Sequence, residues 1–418
     1  MKKLLNLIAS ITKTQTIKDA AIVLIGMIFS TIFSALSIFL LARFLGPTRF
    51  GLYTAALSLA VIVIDAVDLA IGGSIVNFGA RSDQQANSFV KYGFFLKLTL
   101  GFIIGAIFAL VSQPLASWLH PQIKTPLLLS SLFIPIIFLL RFPRSLLQAK
   151  KKFIKDSGIE VIISLLRLGS VIGFYYFFKL TVITALFSYL FGALGALLIG
   201  TSFISWKFLR AKITDSTKKE FFHFQKWLTL GFVLAAIHGR IDSTILLKLA
   251  GPAVTGIYQA AYRFFMPAIQ LAAALSLVFA PRFASFSDAQ TSRVYLIKAG
   301  KLTLGLASLV FLIIPLAPWF VKIIFGSEYS TAVLPTQILS LGFFAFIAGA
   351  PFVSHLIYAV NKTKTFFYLS LLQLILIVSL NFILIPKFQA VGAAIATSST
   401  LLILNLLTAT LALKSSKS

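Results

Sequence analysis

The feature that most constrains this chain is a train of long apolar stretches, each about as long as a bilayer crossing and set apart by short polar junctions. A helix needs about 20 mostly apolar residues to cross the hydrocarbon core. Stretches of that kind run at approximately 20–44, 52–79, 92–112, 125–149, 158–178, 181–206, 227–250, 255–281, 296–317, 331–360, 365–386 and 390–413. The junctions include Gly46-Pro47, Ser82-Asp83-Gln84, Lys150-Lys151-Lys152, Thr214 to Glu220, Gly251-Pro252 and Asn361 to Lys364. In hydrocarbon every backbone N–H and C=O must be bonded inside the protein, which a helix does within one segment. The expected fold is therefore an all-α integral membrane protein of about twelve transmembrane helices. Hydrophobic residues make up 59% of the 418 positions and charged residues 11%, against roughly a quarter charged in a soluble domain. There is no cysteine, which excludes disulfides and thiolate metal sites.

A net charge of +26 invites a nucleic-acid reading, but the positions of the charges argue for topology instead. With the N-terminus inside, twenty-seven of the 37 Lys and Arg residues fall on the inner side, among them the cluster from Arg141 to Lys155 and the run from Lys207 to Lys226. Seven fall outside: Arg43, Arg49, Lys124, Lys179, Lys248, Lys322 and Lys387. Such a bias sets both termini in the cytoplasm of a multi-pass protein of the cell (inner or plasma) membrane, with no nucleic-acid partner. Lys2, Lys3 and Lys13 flank the apolar residues of the first segment, a spacing that suits a helix lying in the interface rather than a cleaved signal.

The chain repeats itself. Leu45-Gly46-Pro47-Thr48-Arg49-Phe50-Gly51-Leu52-Tyr53 aligns with Ala250-Gly251-Pro252-Ala253-Val254-Thr255-Gly256-Ile257-Tyr258 at an offset of 205 residues. Pro114-Leu115-Ala116-Ser117-Trp118 matches Pro315-Leu316-Ala317-Pro318-Trp319, and Leu146-Leu147-Gln148-Ala149 matches Leu356-Ile357-Tyr358-Ala359 more weakly. Gly and Pro recur in tight turns for their own reasons, which explains the dipeptide but not the Gly and Tyr that follow it. The expected plan is an interfacial amphipathic segment at 1–19, a six-helix bundle at 20–206, a basic linker at 207–226, a second bundle at 227–413 and a tail at 414–418. An even number of crossings sets the bundles parallel, related by a pseudo-two-fold axis along the membrane normal, with substrate between them near the midplane.

Leu41-Ala42-Arg43-Phe44-Leu45-Gly46-Pro47 through Phe50-Gly51-Leu52-Tyr53 resembles the first hairpin of the polysaccharide transporter, or Wzx-like, family of lipid-linked oligosaccharide flippases. Gly239-Arg240-Ile241-Asp242 with Leu249-Ala250-Gly251-Pro252, Gly256, Tyr258 and Ala261-Tyr262-Arg263 is similar to its seventh and eighth helices. Phe325-Gly326-Ser327-Glu328-Tyr329, Asn381, Pro386 and Gly392-Ala393-Ala394 continue the pattern, so the resemblance spans nearly the whole chain. It implies the fold of the multidrug/oligosaccharidyl-lipid/polysaccharide exporter (MOP) superfamily, shared with MATE antiporters. The implied activity is flipping undecaprenyl-diphosphate-linked sugar repeats, for O-antigen, capsule or exopolysaccharide, with Na+ or H+ as coupling ion. A polysaccharide polymerase and glycosyltransferases of the same pathway are the implied protein partners.

Ionisable groups inside spans are the informative positions, because each costs about 2.5–3.5 kcal/mol at a helix centre on insertion scales. Arg240 and Arg263 reach similar depths on adjacent spans, where two guanidinium forks suit a phosphate. Pairing of Arg263 with Asp242 is the plainer alternative. Arg167, nine residues into its span, is a further substrate-binding candidate. Asp65 and Asp68 share a helix face, and three roles are open to them: a coupling cation or proton site, partners for arginines, or packing polar groups. Arg141, Arg144 and Lys97 belong with the inner side, facing water, lipid phosphates or the cavity mouth. The four histidines make no metal-binding spacing, no phosphate loop is present, and no cofactor is expected. A cation-coupled multidrug antiporter would favour a net acidic cavity, and an outward-acting membrane enzyme a large outer loop. Neither is evident, which leaves a transporter, with the drug antiporter or another lipid flippase as the alternatives.

Overall fold

The structure, a computed structural model, describes residues 15–81, 83–286, 288–360 and 363–415. Every regular element among them is helical. In chain order these are α1 (Gln15–Gly79), α2 (Asp83–Leu119), α3 (Lys124–Ser131), α4 (Phe133–Ala149), α5 (Phe153–Phe177), α6 (Val182–Ser202) and α7 (Asp215–His238). Then come α8 (Ile241–Arg263), α9 (Met266–Ala284), α10 (Ala289–Ser308), α11 (Ile313–Ile324), α12 (Val333–Tyr358) and α13 (Thr363–Ser415). Of the interfacial segment expected at 1–19, residues 1–14 lie outside the described residues and 15–19 form the start of α1.

Ten helical stretches among the described residues are long and apolar enough to cross a membrane. Three of them, Ile25–Gly79, Asp215–Arg263 and Lys364–Ser415, run for 55, 49 and 52 residues, about twice the length of one crossing. Each bends inside. Gly46 in α1 has φ +71° and Gly251 in α8 has φ +81°, a region glycine enters without the steric cost of a Cβ. The following Pro47 and Pro252 suit a helix start, where no N–H is needed. The repeated Gly-Pro is thus a hinge between two helical arms rather than a loop. In α13 the bend is at Gln389, with φ +51°.

Helices also overrun the apolar stretches. α2 begins at Asp83, ahead of the expected 92, because a helix can carry polar turns such as Asp83 to Lys91 out of the hydrocarbon. α6 stops at Ser202, and the chain then forms a 3-10 turn over Trp206–Arg210. α7 starts at Asp215, inside the basic stretch at 207–226.

The chain forms two compact units. The first holds the residues through Ser37, Ala60–Pro114 and Thr125–Val233; the second holds Ile38–Leu59, Leu115–Lys124 and Leu234–Ser418. In the first, small residues let helices close: a Cβ at Gly192 of α6 would stand 3.0 Å from the Ile163 carbonyl of α5. Without a hydrophobic drive between helices in lipid, such close packing supplies the cohesion. Phe78 stacks on Phe89 at 4.4 Å, tying α1 to α2. In the second unit, Gly342 and Gly349 of α12 sit against Ser398 and Asn405 of α13, and Ser398 Oγ donates to Ile338 O at 2.8 Å. Large apolar side chains face outward, including Leu110 at 78% and Leu198 at 72% exposure. Contiguous outward apolar surface of this kind needs a non-aqueous neighbour.

Candidate functional site

Two polar constellations lie inside the apolar helices, one in each unit. In the first, Asp65 and Asp68 stand three residues apart on α1, the spacing that puts two side chains on one helix face. Arg141 of α4 donates to Asp65 Oδ1 at 2.7 Å and to Asp68 Oδ2 at 3.4 Å. Lys97 of α2 donates to Asp68 Oδ1 with its side chain 0% exposed. Two acids and two bases thus form one neutral cluster spanning three helices. That corrects the sequence-based placement of Lys97 at an inner, wet position: it lies five residues inside the apolar stretch at 92–112, and only ion pairing makes such a site tolerable. One turn along α4, Arg144 bonds Asp156 of α5 at 2.8 Å and also pairs with Glu160, while Gln148 donates to Asp156 at 2.8 Å. Arg167 of α5 lies with its guanidinium 4.2 Å above the Tyr189 ring of α6, a cation–π arrangement worth more in a dry site than at a surface.

The second unit carries the other constellation. The bend at Gly251 folds the arms of α8 against each other, so Asp242 on one arm meets Tyr258 on the other. Tyr258 Oη donates to Asp242 Oδ2 at 2.5 Å and lies 2.9 Å from Thr397 Oγ1 of α13. Ser243 N donates to Asp242 Oδ1 at 2.6 Å, and Gln259 donates to Ser243 Oγ. All these groups are buried, and in hydrocarbon surroundings a polar group without a partner costs several kcal/mol. Further from the bend, Asp242, Arg263 and Arg240 all lie within electrostatic reach of Tyr262. The hairpin therefore brings Arg240, Arg263 and Asp242 into the electrostatic neighbourhood of one phenol, while Asp65, Asp68 and Arg167 belong to the first unit.

Both arginines sit at helix breaks. Arg240 precedes α8 with φ −146° and ψ −2°, and its N–H bonds Ile237 O, three residues back, at 3.1 Å. Arg263 ends α8, and Phe265 N–H bonds Tyr262 O at 3.0 Å. The equivalent positions of the first repeat, Ala35 and Ser58, lie within the continuous turns of α1. Broken helix at membrane depth is tolerated where it is buried in protein or lines a cavity. A cavity of about 250 Å³ lies there, lined by His238, Gly239, Asp242, Tyr262, Gln373 and Thr397 together with apolar neighbours. Carboxylate, hydroxyl, amide and phenol oxygens among the lining residues suit a small hard cation or a proton, and the arginines near them in the chain suit an anion. Tyr258, Tyr262 and Thr397 were not singled out from sequence as site residues. Tyr258 is the residue that the repeat retained without explanation, and that retention was the available signal.

The comparisons agree with this architecture. The family model described as "Polysaccharide biosynthesis protein" matches residues 40–334. A Shigella flexneri protein named for O-antigen transport is 24% identical over 396 residues, covering 91% of this chain and 94% of that protein. The lipopolysaccharide biosynthesis protein WzxC of Escherichia coli (strain K12) is 24% identical over 336 residues, 78% of this chain and 65% of that protein. Among solved structures, a lipid II flippase MurJ in an inward closed conformation superimposes with a TM-score of 0.79 at 18% identity, over 94% of this chain and 87% of that one. An inward-facing MATE-family multidrug transporter of the MOP superfamily gives 0.80 at 13%, over 95% and 98%. The chain therefore belongs to the polysaccharide biosynthesis protein family, as a Wzx-like multi-pass membrane protein with the transporter fold of the MOP superfamily.

Proposed function

We infer that this transporter flips undecaprenyl-diphosphate-linked oligosaccharide repeats from the cytoplasmic to the outer leaflet by alternating access of two helical bundles, in a cell membrane with both termini cytoplasmic. The observation that carries the reading is the pair Arg240 and Arg263 at two helix breaks on one bent hairpin, both within electrostatic reach of Tyr262, which lines a cavity. The family, and relatives named for O-antigen transport and lipopolysaccharide biosynthesis, support it. A diphosphate brings about two negative charges, and each guanidinium fork offers charge-assisted contacts to its oxygens. Arg167 is a supporting substrate contact in the first unit. Asp242, with Thr397 and the phenol of Tyr258, is the coupling position for Na+ or H+. The polymerase and glycosyltransferases that consume and supply the substrate are the partners.

A drug antiporter on this fold would want unneutralised carboxylates for a cationic substrate, and Asp65 and Asp68 are instead matched by Arg141 and Lys97. The test is export in a strain that depends on this gene, with protein abundance measured alongside. Loss of one charge-assisted contact costs roughly 1.5–3 kcal/mol, about ten- to a hundred-fold in affinity. Arg240→Gln and Arg263→Gln should strand lipid-linked oligosaccharide in the inner leaflet, with Lys rescuing only in part. Full export by the double Gln variant at normal abundance would sink the anion site.

A further inference from the structure

At one end of the first unit, three helix junctions come together: the start of α2, the turn between α4 and α5, and the segment after α6. They enclose a cavity of about 360 Å³ whose lining holds none of Arg240, Arg263, Arg167, Asp65, Asp68 and Asp242. Its lining combines Lys150, Lys152 and Lys207 with Asn87 and Ser205 over an apolar floor that includes Leu147 and Phe208, and no acidic residue lines it. Phe208 is itself 2% exposed, packed against Phe94 and Phe142, so the wall it belongs to is anchored.

The turn that presents two of the lysines is unusual. Lys151 has φ +55°. Lys152 N–H bonds Leu147 O at 2.8 Å and Lys151 N–H bonds Gln148 O at 3.0 Å. This is the helix-terminating motif whose left-handed position is normally glycine. A lysine there carries a steric cost that glycine would avoid. The turn brings Lys150 and Lys152 to the same cavity, while Lys151 is not part of its lining.

A cavity with cationic walls, neutral donors and an apolar floor matches one class of ligand, a phosphate carried on a hydrophobic anchor. Trp206, 40% exposed, stands between the lining residues Ser205 and Lys207, and aromatic side chains favour headgroup depth. The surrounding Lys and Arg excess assigns this end to the cytoplasmic leaflet, whose anionic lipids are drawn to basic pockets between helices. We propose that this cavity binds the phosphate headgroup of an acidic glycerophospholipid, at a site separate from the transported substrate.

The test uses the purified full-length chain in detergent, with bound lipid counted by native mass spectrometry. Phosphatidylglycerol, phosphatidylethanolamine, farnesyl diphosphate and inorganic phosphate are the four probes. Phosphatidylglycerol should be retained in preference to the zwitterionic lipid. Each lysine near an anionic headgroup contributes about fivefold, so Lys207→Gln should weaken retention by about that factor and the triple Gln variant at Lys150, Lys152 and Lys207 by roughly 100-fold. Lys151→Gly, outside the lining and suited to its backbone, should bind as the unaltered protein does. Three results would overturn the proposal: equal retention of the two phospholipids, unchanged retention in the Lys207→Gln variant at intact thermal stability, or lysine-dependent binding of farnesyl diphosphate or free phosphate in place of phosphatidylglycerol. The readout is lipid bound rather than substrate exported, so it stands or falls separately from the flippase reading.

Discussion

Gly51 and Gly256 meet backbone to backbone. A Cβ on Gly51 would overlap the Pro252 carbonyl and stand 2.8 Å from Gly256 N; a Cβ on Gly256 would overlap the Pro47 carbonyl and stand 3.0 Å from Gly51 N. Each glycine thus receives the proline carbonyl of the other repeat, the reciprocity expected of two copies related by a two-fold axis. The glycine four residues beyond each Gly-Pro is there because a side chain does not fit.

Replacing either residue with Ala should therefore force the two arms apart. Overpacking of this kind costs about 1–3 kcal/mol, and here the obstructing atoms are backbone. Gly51→Ala and Gly256→Ala should lower the thermal unfolding midpoint in detergent. Gly231→Ala, where a Cβ meets nothing within 4 Å, should leave it unchanged or raise it slightly. Equal midpoints for all three variants would show that the close crossing is not required.

The neutral cluster of the first unit makes a sharper demand. Lys97→Met removes the fully buried partner of Asp68 and should cost about 3–5 kcal/mol by stranding a charge, although Arg141 still reaches Asp68. Adding Asp68→Asn should recover much of the loss. A double variant no more stable than the single one would mean that Lys97 does not serve chiefly to balance Asp68.

Coupling can be located by the same logic. Asp242→Asn should abolish the dependence of lipid-linked oligosaccharide flipping on a Na+ or proton gradient in reconstituted vesicles, and Tyr258→Phe should weaken it by removing the donor to Asp242. Asp65 and Asp68, already paired, should leave the gradient dependence in place when changed to Asn in the backgrounds Arg141→Met and Lys97→Met. Gradient dependence that survives Asp242→Asn but disappears with Asp65→Asn or Asp68→Asn would move the coupling ion to the first unit.

Orientation is directly testable because the chain has no cysteine of its own. A cysteine at Thr48 or Ser117, both exposed, should react with an impermeant thiol reagent applied outside intact cells, and one at exposed Ser216 should not. Thr255 makes a poor probe, since it is 0% exposed and bonds Gly251 O. Outside labelling at Ser216 would reverse the assigned topology.

Much of this architecture was legible in the apolar stretches, because length and hydropathy decide whether a segment can cross a bilayer. The repeat also pointed at Gly51, Gly256 and Tyr258 without revealing why they recur. What stayed hidden was pairing across distance. Nothing local to Lys97 announces that Asp68, 29 residues away, will neutralise it, so its charge read as a topology signal. Tyr258 and Asp242 meet only because Gly251 folds the chain back, and Thr397 reaches them from 139 residues further on. Helix breaks at 239–240 and 264–265 were equally unreadable, since neither contains a proline and the first repeat runs unbroken through the matching positions.

Those two breaks change what kind of thing the site is. A continuous helix hides its peptide dipoles in its own ladder, whereas an interrupted one turns some of them toward whatever lies beside it. Part of the polarity around Gly239 thus belongs to the main chain. Side chains in such a place can drift across distant relatives without erasing it. Two transporters of this fold could then share a binding locus while agreeing on hardly any residue within it, and their kinship there would be one of chain path rather than of letters.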